Sequence, residues 1–274
     1  MSETLQVASG DAWLKVRVEG DASKPWLIAS NSLATNMSMW DSQIEAFVRH
    51  RRVVRYDTRG HGGSSAPPGA YDFAALVGDI VAILDRLQIE TADVVGLSLG
   101  GMTALGLGLA HPDRVRRIAC CDARGAFPQA AIAGWSQRME AVTAGGVGAI
   151  VEETLQRWFT PATHCKRPDI LAQARDMMQS TSVAGYLGCV AALKTLDYRR
   201  QLPNLQVPTL FLTGSEDGAA SPDVVKDMAS ATPHAQFVSI PAAAHISNIE
   251  APEMFNQRIV EFLTGRGYDS FDIH

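Results

Sequence analysis

Val94-Val95-Gly96-Leu97-Ser98-Leu99-Gly100-Gly101 is the stretch on which the reading of this chain turns. Val94 and Val95 are β-branched and close a short apolar run, which suits a parallel strand buried on both faces. Gly96 to Gly100 spells G-x-S-x-G. The segment after it, Met102 to Ala110, is rich in Ala, Leu and Gly and reads as a buried helix. A glycine-rich packing turn has the same composition. What favours a nucleophile is the setting, a serine between a buried strand and a helix. The residues two before and two after such a serine pass too close for a Cβ. The strained turn exposes Oγ and aims a helix N-terminus at it.

The chain has 274 residues, enough for one large core, or one core with an inserted unit. A hydrophobic content of 46% and a charged content of 19% suit a soluble globular protein. The net charge of −5 and the lack of a basic cluster argue against a nucleic-acid partner. Met1-Ser2-Glu3-Thr4 has neither a basic nor an apolar leader pattern, so a cytoplasmic location is expected. The longest uncharged run, Val94 to Ala110, carries five glycines and is the serine turn with its helix, not a membrane span. Cys120, Cys121, Cys165 and Cys189 have no C-x-x-C spacing, so reduced thiols are expected and a zinc site is not.

Ala12 to Val18 alternates like a half-exposed edge strand. Pro25 to Ser30 is a more buried strand, and Asn31 to Asn36 a polar loop. Ser38 or Asp41 is the expected cap of a helix running to about Val48. Arg52 to Tyr56 is a strand, and Asp57 to Ser65 a long turn. Phe73, Leu76, Val77, Ile80, Leu84 and Leu87 then share one helical face. After the serine turn and its helix comes a strand from Val115 to Cys120. Strands alternating with helices predict an α/β fold with a mostly parallel sheet and helices on both faces. The alternation stops from Ala123 to Asn204 and resumes with strands at Val207 to Thr213 and Ala235 to Ile240. A helix starts at Ser221-Pro222, and a last one ends at Gly265. The expected organisation is a core of residues 1–122 and 205–274 with a helical lid, residues 123–204, inserted into it.

A serine needs a base, and the base needs an orienting carboxylate. In this strand-turn-helix setting they follow in the order Ser, acid, His. Asp217, just past the Val207 to Thr213 strand, is the expected acid, with Glu216 and Asp122 as alternatives. His245, just past the last strand, is the expected base. His50, His111, His164, His234 and His274 read as solvated loop residues. An oxyanion needs two N–H donors. The backbone of Leu99, after the serine, and of Leu33, after the Trp26 to Ser30 strand, are the candidates.

These segments together resemble the α/β-hydrolase superfamily, and within it the enol-lactonase group typified by 3-oxoadipate enol-lactonase. The likeness rests on Ser30-Asn31-Ser32-Leu33, Met39-Trp40-Asp41, Tyr56-Asp57-Thr58-Arg59-Gly60-His61-Gly62 and the serine turn. It continues in Arg157-Trp158-Phe159-Thr160-Pro161, Gly185-Tyr186, Ala244-His245 and Ser247-Asn248. Asn31-Ser32 stands where many relatives have His-Gly, and Ala34 where the group has Gly. Cys121 to Gly125 also departs from the group. The resemblance implies a serine acylated by a small lactone or ester and freed by water, with no metal or organic cofactor. Trp135, Trp158, Phe159 and Tyr186 are either the core of the inserted helices or the wall of a substrate pocket. Arg138 and Arg157 have the donor geometry for a substrate carboxylate. Competing readings are a C–C hydrolase of a vinylogous diketone and a non-catalytic ligand receptor. A dehalogenase or epoxide hydrolase would resemble this fold with Asp at position 98. The expected partner is a small molecule; no nucleic acid or membrane partner is expected, and the sequence leaves the oligomeric state open.

Overall fold

In the computed structural model, which describes residues 2–265, the apolar runs become an eight-stranded sheet. The strands are β1 (Ser2–Ser9), β2 (Ala12–Glu19), β3 (Trp26–Ser30) and β4 (Arg52–Tyr56), then β5 (Ala92–Leu97), β6 (Val115–Cys121), β7 (Thr209–Gly214) and β8 (Ala235–Ile240). Their order is β1-β2-β4-β3-β5-β6-β7-β8. The β1–β2 and β2–β4 pairs are antiparallel; every other pair is parallel. β2 is therefore not the edge. β1 covers it through a turn at Gly10-Asp11, where Gly10 has φ 57°. The sequence hides β1 because its first residues are exposed and burial begins only at Val7.

The core helices are α1 (Asp41–Val48), α2 (Phe73–Arg86) and α3 (Leu99–Ala110). Neither Ser38 nor Asp41 caps α1, whose N-cap position is Trp40 with no side-chain bond. Asn36 accepts the Ser38 N–H at 3.0 Å and starts a 3-10 turn, Met37–Trp40, that runs into α1. Asp41 is the first residue of α1 and pairs with Arg55 instead. Asp72 caps α2 through the Ala75 N–H at 2.7 Å. α3 is apolar almost all round and buried from Leu99 to Gly108, packed on β5 and β6.

Between β6 and β7 the chain forms α4 (Gln129–Gly145), α5 (Val151–Trp158), α6 (Pro161–Lys166), α7 (Pro168–Gln179) and α8 (Val183–Thr195). An isolated bridge, Ala126 with Asp197, ties the two ends of this insertion together. The sheet then resumes, with α9 (Pro222–Ser230) before β8, and α10 (Ser247–Glu250) and α11 (Pro252–Thr264) after it. Gly265 ends α11 in the left-handed region at φ 70°. Among the described residues no helix is long and apolar enough to cross a membrane.

Candidate active site

Ser98 is the single residue between β5 and α3, at φ 54° and ψ −114°. That strained turn exists because its glycines let backbones touch. A Cβ on Gly96 would fall 2.2 Å from Gly100 O, and one on Gly100 would fall 2.1 Å from Ser30 O. The Ser98 N–H is anchored on Cys121 O at 2.8 Å, at the end of β6.

His245 and Asp217 reach the same point from loops after β8 and β7. His245 Nε2 lies 3.0 Å from Ser98 Oγ, and His245 Nδ1 lies 2.9 Å from Asp217 Oδ2. The other Asp217 oxygen accepts the N–H groups of Ala219 and Ala220 at 2.7 and 3.0 Å. Burial acts to raise the Asp217 pKa, but the His245 charge and these hydrogen bonds outweigh it and hold it below the usual range. Burial acts to lower His245, yet the Asp217 charge and hydrogen bond win and its pKa is raised. With Asp217 ionised, Nδ1 carries the ring proton and Nε2 turns its lone pair to Ser98.

The two alternative acids do not reach the histidine. Glu216 is exposed. Asp122 is fully buried, but Oδ1 accepts the Gly214 N–H at 2.9 Å and Oδ2 lies 2.5 Å from Ser247 Oγ. Burial first, and the Asp217 charge second, push its pKa up to about 8. Asp122 thus braces the loop of the acid and the helix after the base. Glu250 has a similar job that no sequence signal marked. It accepts the Ala244 N–H at 2.6 Å and the Thr160 N–H at 2.7 Å, joining the His245 loop to the insertion. Of the other histidines, His234 is exposed, His50 and His111 are half-buried, and His164 Nε2 lies 3.1 Å from Leu155 O. His274 lies outside the described residues.

Leu99 is the first residue of α3, where amides have no partner one turn back. Leu33 lines the same cavity as Ser98 and His245. The next amide, Ala34, is already donated to His61 Nε2 at 3.0 Å.

That cavity gives the centre of a water molecule about 60 Å³ of room; Trp135, Arg157, Trp158 and Tyr186 enter it from the insertion. A wider space, with about 530 Å³ of room for water centres, opens beside it. Arg124, Phe127, Trp135 and Arg157 line both. Two expected pocket residues, Arg138 and Phe159, line only the outer space. Arg138 lies over the Trp135 ring at 4.8 Å and reaches Glu153 at 3.4 Å. The Nε atoms of Arg124, Arg138 and Arg157 are buried without a hydrogen-bond partner. Desolvation, then the Arg138 charge, push Arg157 down to about 10. Arg124 escaped the sequence reading because it sits in the departing Cys121 to Gly125 segment.

A model of the alpha/beta hydrolase fold family matches residues 25–252. The chain is 34% identical over 249 residues to 3-oxoadipate enol-lactonase 2 of Acinetobacter baylyi, covering 91% of this chain and 92% of the relative. It is 36% identical over 244 residues to 3-oxoadipate enol-lactonase 1 of the same organism, covering 89% and 90%. The crystal structure of the enol-lactonase from Burkholderia xenovorans LB400 superimposes with a TM-score of 0.91 at 37% identity, over 95% of this chain and all of that one.

Proposed function

The chain belongs to the α/β hydrolase fold family, and from that premise we propose that it is a serine hydrolase of a small lactone or carboxylic ester, with an enol-lactone as the leading substrate. The observation that carries the reading is the unbroken chain from Asp217 through His245 to Ser98, at 2.9 and 3.0 Å, opening on the cavity.

His245 Nε2 takes the Ser98 proton as Oγ attacks the carbonyl carbon, and the carbonyl π pair moves to oxygen. The N–H groups of Leu33 and Leu99 receive that oxyanion. When the intermediate collapses, the C–O bond of the lactone breaks and His245 protonates the departing oxygen. In a lactone this group stays tethered to the acyl chain. Water, deprotonated by His245, then attacks the acyl-enzyme, and Ser98 leaves with a proton. Asp217 keeps the imidazole oriented and stabilises it while charged.

The insertion, residues 123–204, acts in this reading as a cap that selects the substrate. Trp135, Trp158 and Tyr186 form its apolar wall. Arg157, with Arg138 at the mouth, seats a carboxylate remote from the scissile bond: the Arg157 Nε makes no hydrogen bond and only a long ion pair with Glu153, at 3.8 Å, so the guanidinium has donors to give. Turnover of 3-oxoadipate enol-lactone, neutral γ-lactones, p-nitrophenyl esters and a vinylogous diketone tests the proposal. Lactone turnover should exceed the rest, and S98A should lower kcat by about 10³-fold or more. Preferred cleavage of the diketone, or full turnover by S98A, would overturn it.

A further inference from the structure

His61, in the loop after β4, is 1% exposed and takes no part in the Asp217–His245–Ser98 chain. Its ring has two partners. Nδ1 lies 3.0 Å from Arg59 O, which can only accept, so the ring proton sits on Nδ1. Nε2 then presents a lone pair and accepts the Ala34 N–H at 3.0 Å. Burial pushes the ring down to about 4, which keeps it neutral at physiological pH. Arg59 is itself fixed by a two-point ion pair with Asp79, at 2.7 and 2.8 Å.

Ala34 needs such a hold. It sits at φ 60°, a left-handed conformation that an L-residue with a Cβ adopts at a cost. Its amide is joined directly to Leu33, which lines the cavity beside Ser98. From the other side the turn is closed by the Thr35 N–H on Ser32 O at 3.3 Å. A strained residue persists only where its surroundings over-determine it, and here the surrounding atom on the amide is His61 Nε2.

We propose that His61 is a positioning residue for the oxyanion-hole loop: its Nε2 fixes the Ala34 amide and so aims the Leu33 N–H at the carbonyl oxygen of a substrate on Ser98. This rests on the serine-hydrolase reading. Its consequence is selective. Losing the acceptor weakens the hold on the oxyanion more than the hold on the ground-state ester.

The test compares wild type, H61N, H61L and H61Q in p-nitrophenyl acetate hydrolysis, inhibition by a short alkyl trifluoromethyl ketone, and thermal unfolding. The ketone carbon bonds to Ser98 Oγ, its π pair moves to oxygen, and the serine proton passes to His245. Asn keeps a donor for Arg59 O but falls short of the Nε2 position; Gln places an amide oxygen there. H61N should lose about 10²-fold in kcat with KM nearly unchanged, and the ketone should weaken by a similar factor. H61L should do the same where it folds, and H61Q should recover most of the loss. A folded H61N with wild-type kcat and ketone affinity would overturn the proposal, as would an H61Q no better than H61N. Wild type forming no ketone adduct would instead overturn the serine-hydrolase reading, and this inference with it.

Discussion

Gly60, in the loop after β4, and Gly185, in α8, pack backbone against backbone: a Cβ built on Gly60 would fall 2.1 Å from Gly185 Cα, and one built on Gly185 would fall 2.4 Å from Gly60 O. Beside this contact both the N–H and the hydroxyl of Ser182 donate to Gly60 O, at 3.0 and 2.9 Å. The insertion is thus seated on the loop that carries His61. G185A should cost about 1–3 kcal/mol through overpacking. In a chain of this size that is roughly 2–4 °C of Tm for each kcal/mol. Thermal unfolding reads it, and an unchanged Tm would show that the contact gives way freely.

The raised pKa of His245 sets a pH dependence. The base works only when neutral, so kcat/KM must fall as pH drops through that pKa, with a midpoint above the ordinary 6.5. D217N removes the charge that raises it. The acid limb should then move to lower pH while the plateau falls by about 10⁴-fold through lost orientation. A pH–rate profile of both proteins shows whether the limb moves and in which direction.

D122N should behave differently. Asp122 bonds Gly214 and Ser247 rather than His245, so most of the activity should survive. A buried donor or acceptor left without its partner costs about 1–3 kcal/mol, which unfolding in urea would register. A collapse of kcat as deep as that of D217N would instead make Asp122 a partner of the base.

Trp158 serves as both core and pocket wall, being 6% exposed and lining the Ser98 cavity. W158A should cost about 3–5 kcal/mol and also change the kcat/KM ratio between short and long acyl chains. Trp135 is only half-buried, stacked edge-on against Phe127. W135A should change the same ratio with a smaller loss of Tm. Equal loss of stability in the two variants would contradict this division of roles.

R157Q should raise KM for a lactone bearing a free carboxylate by about tenfold or more, the worth of one charge-assisted hydrogen bond. KM for a neutral ester of the same length should hardly move. R138Q should do less, because Arg138 lines only the outer space whereas Arg157 also lines the Ser98 cavity, and because Arg138 holds Glu153 more closely, at 3.4 against 3.8 Å. Parallel changes for the charged and neutral substrates would remove the carboxylate seat from the proposal.

The order of elements and the serine turn were legible in the sequence because they are local. Val94-Val95, the glycines around Ser98 and the apolar run after them carry their geometry in a few adjacent residues. The placement of Asp217 and His245 was legible because strand ends can be counted. Asp217 was the expected acid ahead of Glu216 and Asp122, but all three follow strands, and packing decides which carboxylate meets the imidazole. β1 was hidden by its exposed, polar start, and the 3-10 turn that Asn36 caps ahead of α1 by Ser38 and Asp41, which look like helix caps themselves. The hydrogen bonds joining His61 to Ala34 and Glu250 to Ala244, and the backbone contact of Gly60 with Gly185, leave no trace in sequence. Gly60 and Gly185 stand far apart along the chain, and their contact depends on how the insertion folds back over the sheet. Local conformational preference set the strands, helices and serine turn; burial and long-range hydrogen bonding decided which charges pair and which residues face the serine.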